Sequence, residues 1–259
     1  MAQPPSRPPG LHCLLYLSAE QICPPLSDRP GGFAIQFRVS KRPWFVQLLD
    51  GWGGGISFRT PWVREQRVSV PCRPTVKVSP EELGSRLLMA ALLECRDAGQ
   101  LRLRLADNRD WQPGIIDPEP SRVWVAPLAS ASVPGLCGRI LETLEHHGEQ
   151  DTKRLLRDMM GDFHEDWVIY QVEAELAALG YMRPQATPWW RPAPEVQRFV
   201  GDCEQIRTLE QERARAVDRW RRVMHADQKL CDALLADCDE YLTPPPSERV
   251  IEWRITGPA

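Results

Sequence analysis

A chain of 259 residues with 32 Lys plus Arg against 35 Asp plus Glu carries a formal net charge of −3, and so lacks the cationic excess of a dedicated nucleic-acid binder. Hydrophobic residues make up 42% of it, enough for a sizeable core, yet no apolar run approaches the roughly eighteen residues of a membrane span. Its eight cysteines never form C-x2-C and its five histidines never form H-E-x-x-H, so the strong zinc signatures are absent, and no metal or cofactor is expected.

Neither G-x-S-x-G nor a Cys with a His at a recognisable family spacing occurs, and the expectation is a protein that is not an enzyme. With no secretory signal and no paired cysteine framework, the sequence predicts a cytoplasmic chain with reduced thiols, most of its cysteines acting as small hydrophobes. Lysine stands only at Lys41, Lys77, Lys153 and Lys229, a bias towards arginine that points to a GC-rich bacterial source.

In chain order, residues 1–10 read as a disordered N-terminus. Residues 11–130 read as an α+β domain, a mixed β-rich one. Its β-type runs are "LHCLLYL" at 11–17, "FAIQFRV" at 33–39, "WFVQLL" at 44–49, "GISF" at 55–58, "RVSV" at 67–70, "TVKVS" at 75–79, "LRLRL" at 101–105 and "RVWVA" at 122–126. One helix interrupts them, with Ser79 as N-cap, Pro80 in its first turn, a capping-box carboxylate, and Leu87, Leu88, Ala91 and Leu92 leading to Gly99. The glycine-rich "DGWGGGISF" at 50–58 lacks the Lys-Ser/Thr and the following helix of a phosphate-cradling loop, and reads as a hairpin connection. Beyond it lies the most basic part of this domain, with Arg59, Arg64 and Arg67 around Trp62, the first place to look for phosphate contact.

Residues 131–192 change texture to three short amphipathic helices. The first runs from Val133 to Gly148 with Leu136, Ile140, Leu141 and Leu144 on one stripe; the second opens at Asp151 and turns Leu155, Leu156, Met159 and Met160 inward. The third, from about Glu165 to Leu179, buries Trp167, Val168, Val172, Leu176 and Leu179 and ends at Gly180 in the turn "ALGYM". Three tandem helices with that ending resemble the winged-helix superfamily, a likeness confined to about residues 133–184. The resemblance implies that the third helix enters the major groove while a following hairpin, the wing, touches the DNA backbone. The outward residues of that helix should be His164, Asp166, Ile169, Gln171, Glu173 and Glu175, with no cation among them. Residues 129–182 hold four basic residues against ten acidic ones, so the stretch reads as a packing or protein-binding module, similar to acidic winged-helix subunits of bacterial multiprotein complexes. The proline-punctuated "RPQATPWWRPAP" after it sets Trp189 and Trp190 beside Arg183 and Arg191, candidate partner contacts at a wing tip.

Residues 193–243 predict a long helix or a helical hairpin. Its stripe runs through Val196, Phe199, Cys203, Ile206, Leu209, Val217, Trp220, Met224, Leu230, Leu234, Cys238 and Leu242, with breaks expected near Gly201, at the arginine-rich patch, or in a turn at His225 to Gln228. That stripe needs burial against its own domain, a second copy in a coiled coil, or another protein. Arg213, Arg215, Arg219, Arg221 and Arg222 cluster here, and Arg215, Arg219 and Arg222 share one face as a candidate site for nucleic acid or an acidic partner. Residues 244–259 close with "RVIEWRIT", the alternation of a half-buried strand.

These features together lead to the expectation of a non-catalytic adaptor or structural subunit in a bacterial nucleic-acid-associated complex of defence or chromosome and plasmid maintenance. Its partners would be other protein subunits, DNA or RNA within the complex, and a second copy, with no membrane. Two alternatives remain open: a DNA-binding transcriptional regulator dimerising through the long helix, and an enzyme or nucleotide binder centred on the N-terminal sheet.

Overall fold

A computed structural model of the chain describes residues 8–23, 68–106, 122–129, 133–160, 165–185 and 199–242, all within one compact unit. The fold is α+β: among the described residues, helices surround small antiparallel sheets. The expected strands at 33–39, 44–49, 55–58 and 249–256 lie outside the described residues, as does the glycine-rich stretch at 50–58.

The N-terminal run 11–17 corrects the strand expected there. It forms helix α1 (Leu11–Tyr16), followed by the short α2 (Ala19–Ile22). Leu11, His12, Cys13, Leu15, Tyr16 and Leu17 are all buried, and an apolar run covered on every side has no period by which sequence can tell helix from strand.

A hairpin of β1 (Val68–Val70) and β2 (Arg73–Val78) turns at Cys72, whose φ of 61° is left-handed. Helix α3 (Pro80–Asp97) starts where the sequence places it. The Ser79 side chain accepts from the Glu82 amide at 3.4 Å, and Glu81 and Glu82 sit in the first turn, favourable against the helix dipole. Every residue from Leu87 to Leu93 is at most 1% exposed, so α3 is apolar all round and forms the axis of the core.

Strands β3 (Leu101–Leu105) and β4 (Val123–Pro127) pair antiparallel, Leu103 opposite Val125, and the short β5 (Gln150–Asp151) extends the sheet on the far side of β4. Arg104 lies 5.1 Å over the Trp124 ring and 3.0 Å from Glu149.

The three predicted central helices are present as α4 (Gly135–His147), α5 (Thr152–Met160) and α6 (Glu165–Ala178). Asp151 caps α5, its Oδ1 accepting from the Arg154 amide at 2.9 Å. Gly148 and Gly180 follow α4 and α6 at φ of 75° and 86°. After α6, β6 (Met182–Pro184) pairs with β7 (Phe199–Gly201), while β5, between α4 and α5, joins β4 instead of this pair.

Helix α6 is not a surface helix. Val168, Ile169, Val172 and Leu176 are buried, and no side chain from Trp167 to Ala177 is exposed. It packs against α1, α3 and α4. Of the residues expected on its outward face, Ile169 is in the core, and Gln171, Glu173 and Glu175 are partly buried. His164 and the Asp166 side chain lie outside the described residues.

The segment from Pro194, expected as a long helix or a helical hairpin, is broken near Gly201 and at 225–228, two of the places the sequence offered, but its start departs from expectation. Phe199–Gly201 is strand, and the helical part divides into α7 (Cys203–Thr208), α8 (Glu210–Ala226) and α9 (Gln228–Leu242). Asp202 provides the new start, its Oδ1 accepting from the Glu204 and Gln205 amides at 3.2 and 3.3 Å. Asp227 makes the second break inside the expected turn.

The stripe of α9 is covered from within. Leu230, Cys231, Leu234, Cys238 and Leu242 pack with α3 and α5, so no coiled-coil partner is needed to bury it. Asp237 is fully buried beside them and accepts from the Arg122 and Val123 amides at 2.8 and 3.0 Å, tying α9 to the start of β4. Spans read as three successive domains therefore share one core around α3, which contacts α1, α4, α6 and α9.

The expectation of wholly reduced thiols is corrected as well. Cys72 and Cys203 form a disulfide across a sequence separation of 131, joining the β1–β2 turn to the start of α7. No short-spacing signature announces a pair that distant. The free cysteines, 13, 23, 95, 137, 231 and 238, are buried, as small hydrophobes should be. No helix among the described residues is long and apolar enough to cross a membrane.

Candidate functional site

Among the described residues, the densest chemistry lies where α1, α3, α4 and α6 converge on His12, which is 1% exposed. Its Nδ1 is 2.9 Å from Glu94 Oε2 on α3, and its Nε2 is 3.0 Å from Glu175 Oε2 on α6. One imidazole is thus held between two carboxylates.

Each carboxylate also closes a helix start. Glu94 Oε2 accepts from the Leu11 amide at 2.8 Å, and Glu175 Oε2 accepts from the Leu136 amide at 3.3 Å. Glycine makes the approach possible in both places. A Cβ on Gly10 would lie 2.9 Å from Glu94 Oε1, and one on Gly135, where φ is 76°, would lie 1.8 Å from Glu175 Oε2. Carboxylates at helix N-termini meet free amides and the positive end of the dipole, which offsets part of their desolvation.

Thiols complete the cluster. Cys137 Sγ is 3.9 Å from His12 Nδ1 and 3.8 Å from the Ala91 carbonyl, to which it donates. The neighbouring Cys95 thiol first, and His12 after it, draw the Cys137 pKa down to about 6 against the upward push of burial. Burial works to lower the His12 pKa, but its contacts with Cys13, Cys137 and Glu175 override that and hold it well above the ordinary imidazole value. Burial pushes Glu94 up, and His12 with the Leu11 amide brings it below the usual carboxylate range. Beside this node, the Tyr16 hydroxyl donates to Glu173 Oε1 at 2.5 Å; burial and that carboxylate raise the phenol well above its normal pKa. Two donor sets of metal-ligating type lie within 4.8 Å: His12, Glu94 and Cys137, and His12, Cys13 and Glu175.

None of this was anticipated from sequence, where Glu173 and Glu175 were placed outward. A signal was present in α3: Glu94 follows Leu87 and Ala91 by seven and three residues, on the buried side of a helix where an acid needs a partner.

The anticipated site residues lie elsewhere. Arg215, Arg219 and Arg222 are exposed together on α8, opposite the buried Ala216, Val217 and Trp220. Arg219 pairs with Asp97 at 2.8 Å, Arg221 is 3.9 Å from Asp218, and Arg222 Nε donates to the Asp218 carbonyl at 3.4 Å. Arg213, counted with this cluster in the sequence, points the other way. It donates to Ser18 Oγ at 3.1 Å and to the Leu17 carbonyl, anchoring α8 to the end of α1. Arg183 stands on β6, paired with Asp202 and distant in the chain from that face. Arg59, Arg64, Arg67, Trp189, Trp190 and Arg191 lie outside the described residues. A shallow depression lined by Pro127, Leu128, Ala129, Leu144, Glu145 and Gly148 shares no residue with the node or with the arginine face.

Comparison with family models, curated proteins and solved structures finds no match to this chain.

Proposed function

We propose that the protein is a non-catalytic subunit of a bacterial nucleic-acid-associated complex, docked through the arginine face of α8 onto an acidic surface of a neighbouring protein subunit. The observation that carries this reading is the arrangement of Arg215, Arg219 and Arg222. They are exposed at i, i+4 and i+7 on a helix whose other face is fixed in the core by Val217 and Trp220, and guanidinium groups held on a rigid helix suit carboxylates geometrically.

A protein partner fits this face better than a nucleic acid does. Glu210, Glu212 and Asp218 lie on the same helix, and such alternation of sign matches a patterned protein surface more closely than a uniform phosphate backbone. The enclosed α6 has no exposed side from Trp167 to Ala177 with which to enter a groove. In this reading α4, α5 and α6, followed by the β6–β7 pair, act as a winged-helix-like packing module, not as a DNA reader.

The test is purification of the native protein from its host, with and without nuclease, alongside the triple variant Arg215→Glu, Arg219→Glu, Arg222→Glu. A nuclease-resistant protein at fixed stoichiometry that the wild type holds and the variant loses is the expected outcome. Equal retention by the variant rejects the docking face. Recovery of nucleic acid without a protein partner rejects the subunit reading in favour of a DNA-binding regulator.

A further inference from the structure

We propose that His12, Glu94 and Cys137 form a three-ligand binding site for a zinc-class divalent cation at the junction of α1, α3 and α4. The site is independent of the arginine face and shares no residue with it.

The argument begins with distance. Nδ1 of His12 is 2.9 Å from Glu94 Oε2 and 3.9 Å from Cys137 Sγ, and the three donors lie within 4.8 Å of one another. A point equidistant from atoms so spaced lies no more than about 2.4 Å from each, within reach of zinc bonds of about 2.0–2.3 Å to imidazole, carboxylate and thiolate. Small adjustments of side chains suffice to seat an ion.

The donor chemistry selects the class of ion. One nitrogen, one sulfur and one oxygen form a borderline-soft set, which suits zinc and disfavours magnesium and calcium, whose ligands are oxygen. The second ring nitrogen is already oriented as a metal-bound histidine requires. Nε2 faces Glu175 Oε2 at 3.0 Å, a carboxylate that holds the Nε2 proton while Nδ1, now 2.9 Å from Glu94, gives up its own to coordinate. Glu175 is itself held by the Leu136 amide and seated on the bare backbone of Gly135.

Binding proceeds by exchange of protons for the cation. The Nδ1 proton and the Cys137 thiol proton leave to solvent, and the ion takes both positions. The contacts that now bind Glu94 to His12 become bonds to a common centre. Three helices that the present structure joins by hydrogen bonds would then share one ion.

The experiment uses the full chain, treated with a chelator and titrated with Co²⁺ as a spectroscopic substitute for zinc. One cobalt per chain is expected, with a near-ultraviolet thiolate-to-cobalt band that Cys137→Ser abolishes and Cys231→Ser retains. Glu175→Gln should weaken affinity about 10- to 100-fold, the usual consequence of losing an outer-shell partner. Absence of a saturable band in the wild type, or its survival in Cys137→Ser, overturns the proposal. Should Cys137→Ser fail to fold, zinc-edge absorption of the loaded wild type decides. One sulfur at about 2.3 Å with nitrogen or oxygen at about 2.0–2.2 Å supports the site, and a shell without sulfur overturns it.

Discussion

The His12 node and the arginine face of α8 are both built from charged side chains, yet they do opposite work. At the node, Glu94 and Glu175 are largely withdrawn from water, with 27% and 14% of their side chains exposed, and are paired with His12 and with amides at the starts of α1 and α4. On α8, Arg215, Arg219 and Arg222 remain in water, where screening leaves little energy in any one pair. A buried charge is expensive to leave alone, and an exposed one is free to serve a partner. The node should therefore govern stability, and the face should govern association.

The largest effect should come from breaking the node at its centre. His12→Ala removes the partner of two carboxylates at once and should cost about 3–5 kcal/mol in urea unfolding, the range for an orphaned buried charge. A change under about 1 kcal/mol, within the ordinary scatter of surface substitutions, would show that water or rearrangement satisfies Glu94 and Glu175.

A second comparison separates backbone strain from carboxylate seating. Gly135 and Gly148 have nearly equal φ, 76° and 75°, but only at Gly135 would a Cβ meet Glu175; nothing lies within 4 Å at Gly148. Gly148→Ala should cost roughly 1–3 kcal/mol from the backbone alone, because φ 75° with ψ −156° is a conformation essentially confined to glycine. Gly135→Ala should cost clearly more, because Glu175 must also move. Equal denaturation midpoints would remove Glu175 from its proposed seat.

Within α8 itself the contrast can be drawn two residues apart. Arg213→Ala loses its bonds to Ser18 and the Leu17 carbonyl and should destabilise by about 1–3 kcal/mol. Arg215→Ala should stay within about 0.5 kcal/mol. A reversed order in thermal melts would mean that the inward and outward assignments are exchanged.

The smallest effect is one of pH. Burial pushes the Asp97 carboxyl up, but Arg219 and Arg96 more than offset it and hold the pKa below its ordinary value. The folded state thus binds fewer protons than the unfolded one. The contribution is complete above the unfolded carboxylate pKa of about 3.9 and fades as acidification passes through the lowered folded value. Asp97→Asn should flatten the acid limb of a stability profile by a few tenths of a kcal/mol, the scale of surface pairs. A profile unchanged by the substitution would mean that the Arg219 contact contributes nothing.

Much of the local structure was legible because local rules determine it. Ser79 and Pro80 started α3, Asp151 capped α5, and Gly148 and Gly180 ended α4 and α6 at positive φ. The central helices and the strand character of β3 and β4 followed from periodicity, and their pairing came from the fold. The errors fell where a segment's neighbours override its own pattern. The run at 11–17 is covered on all sides and carries no readable period. Phe199 fitted a helical stripe, but pairing with Pro184 made it strand.

What the sequence by itself determined is most of the helices, several of their caps, and the apolar faces that had to be buried. Only the tertiary structure decided which charged residues lie inside. Nothing in the local spacing of His12, Glu94, Cys137 and Glu175 links them, because each helix obeys its own 3.6-residue period while their meeting depends on how four helices pack. The same packing supplied partners for Arg213, the Ser18 hydroxyl and the Leu17 carbonyl, and left Arg215, on the opposite side of the helix, in water.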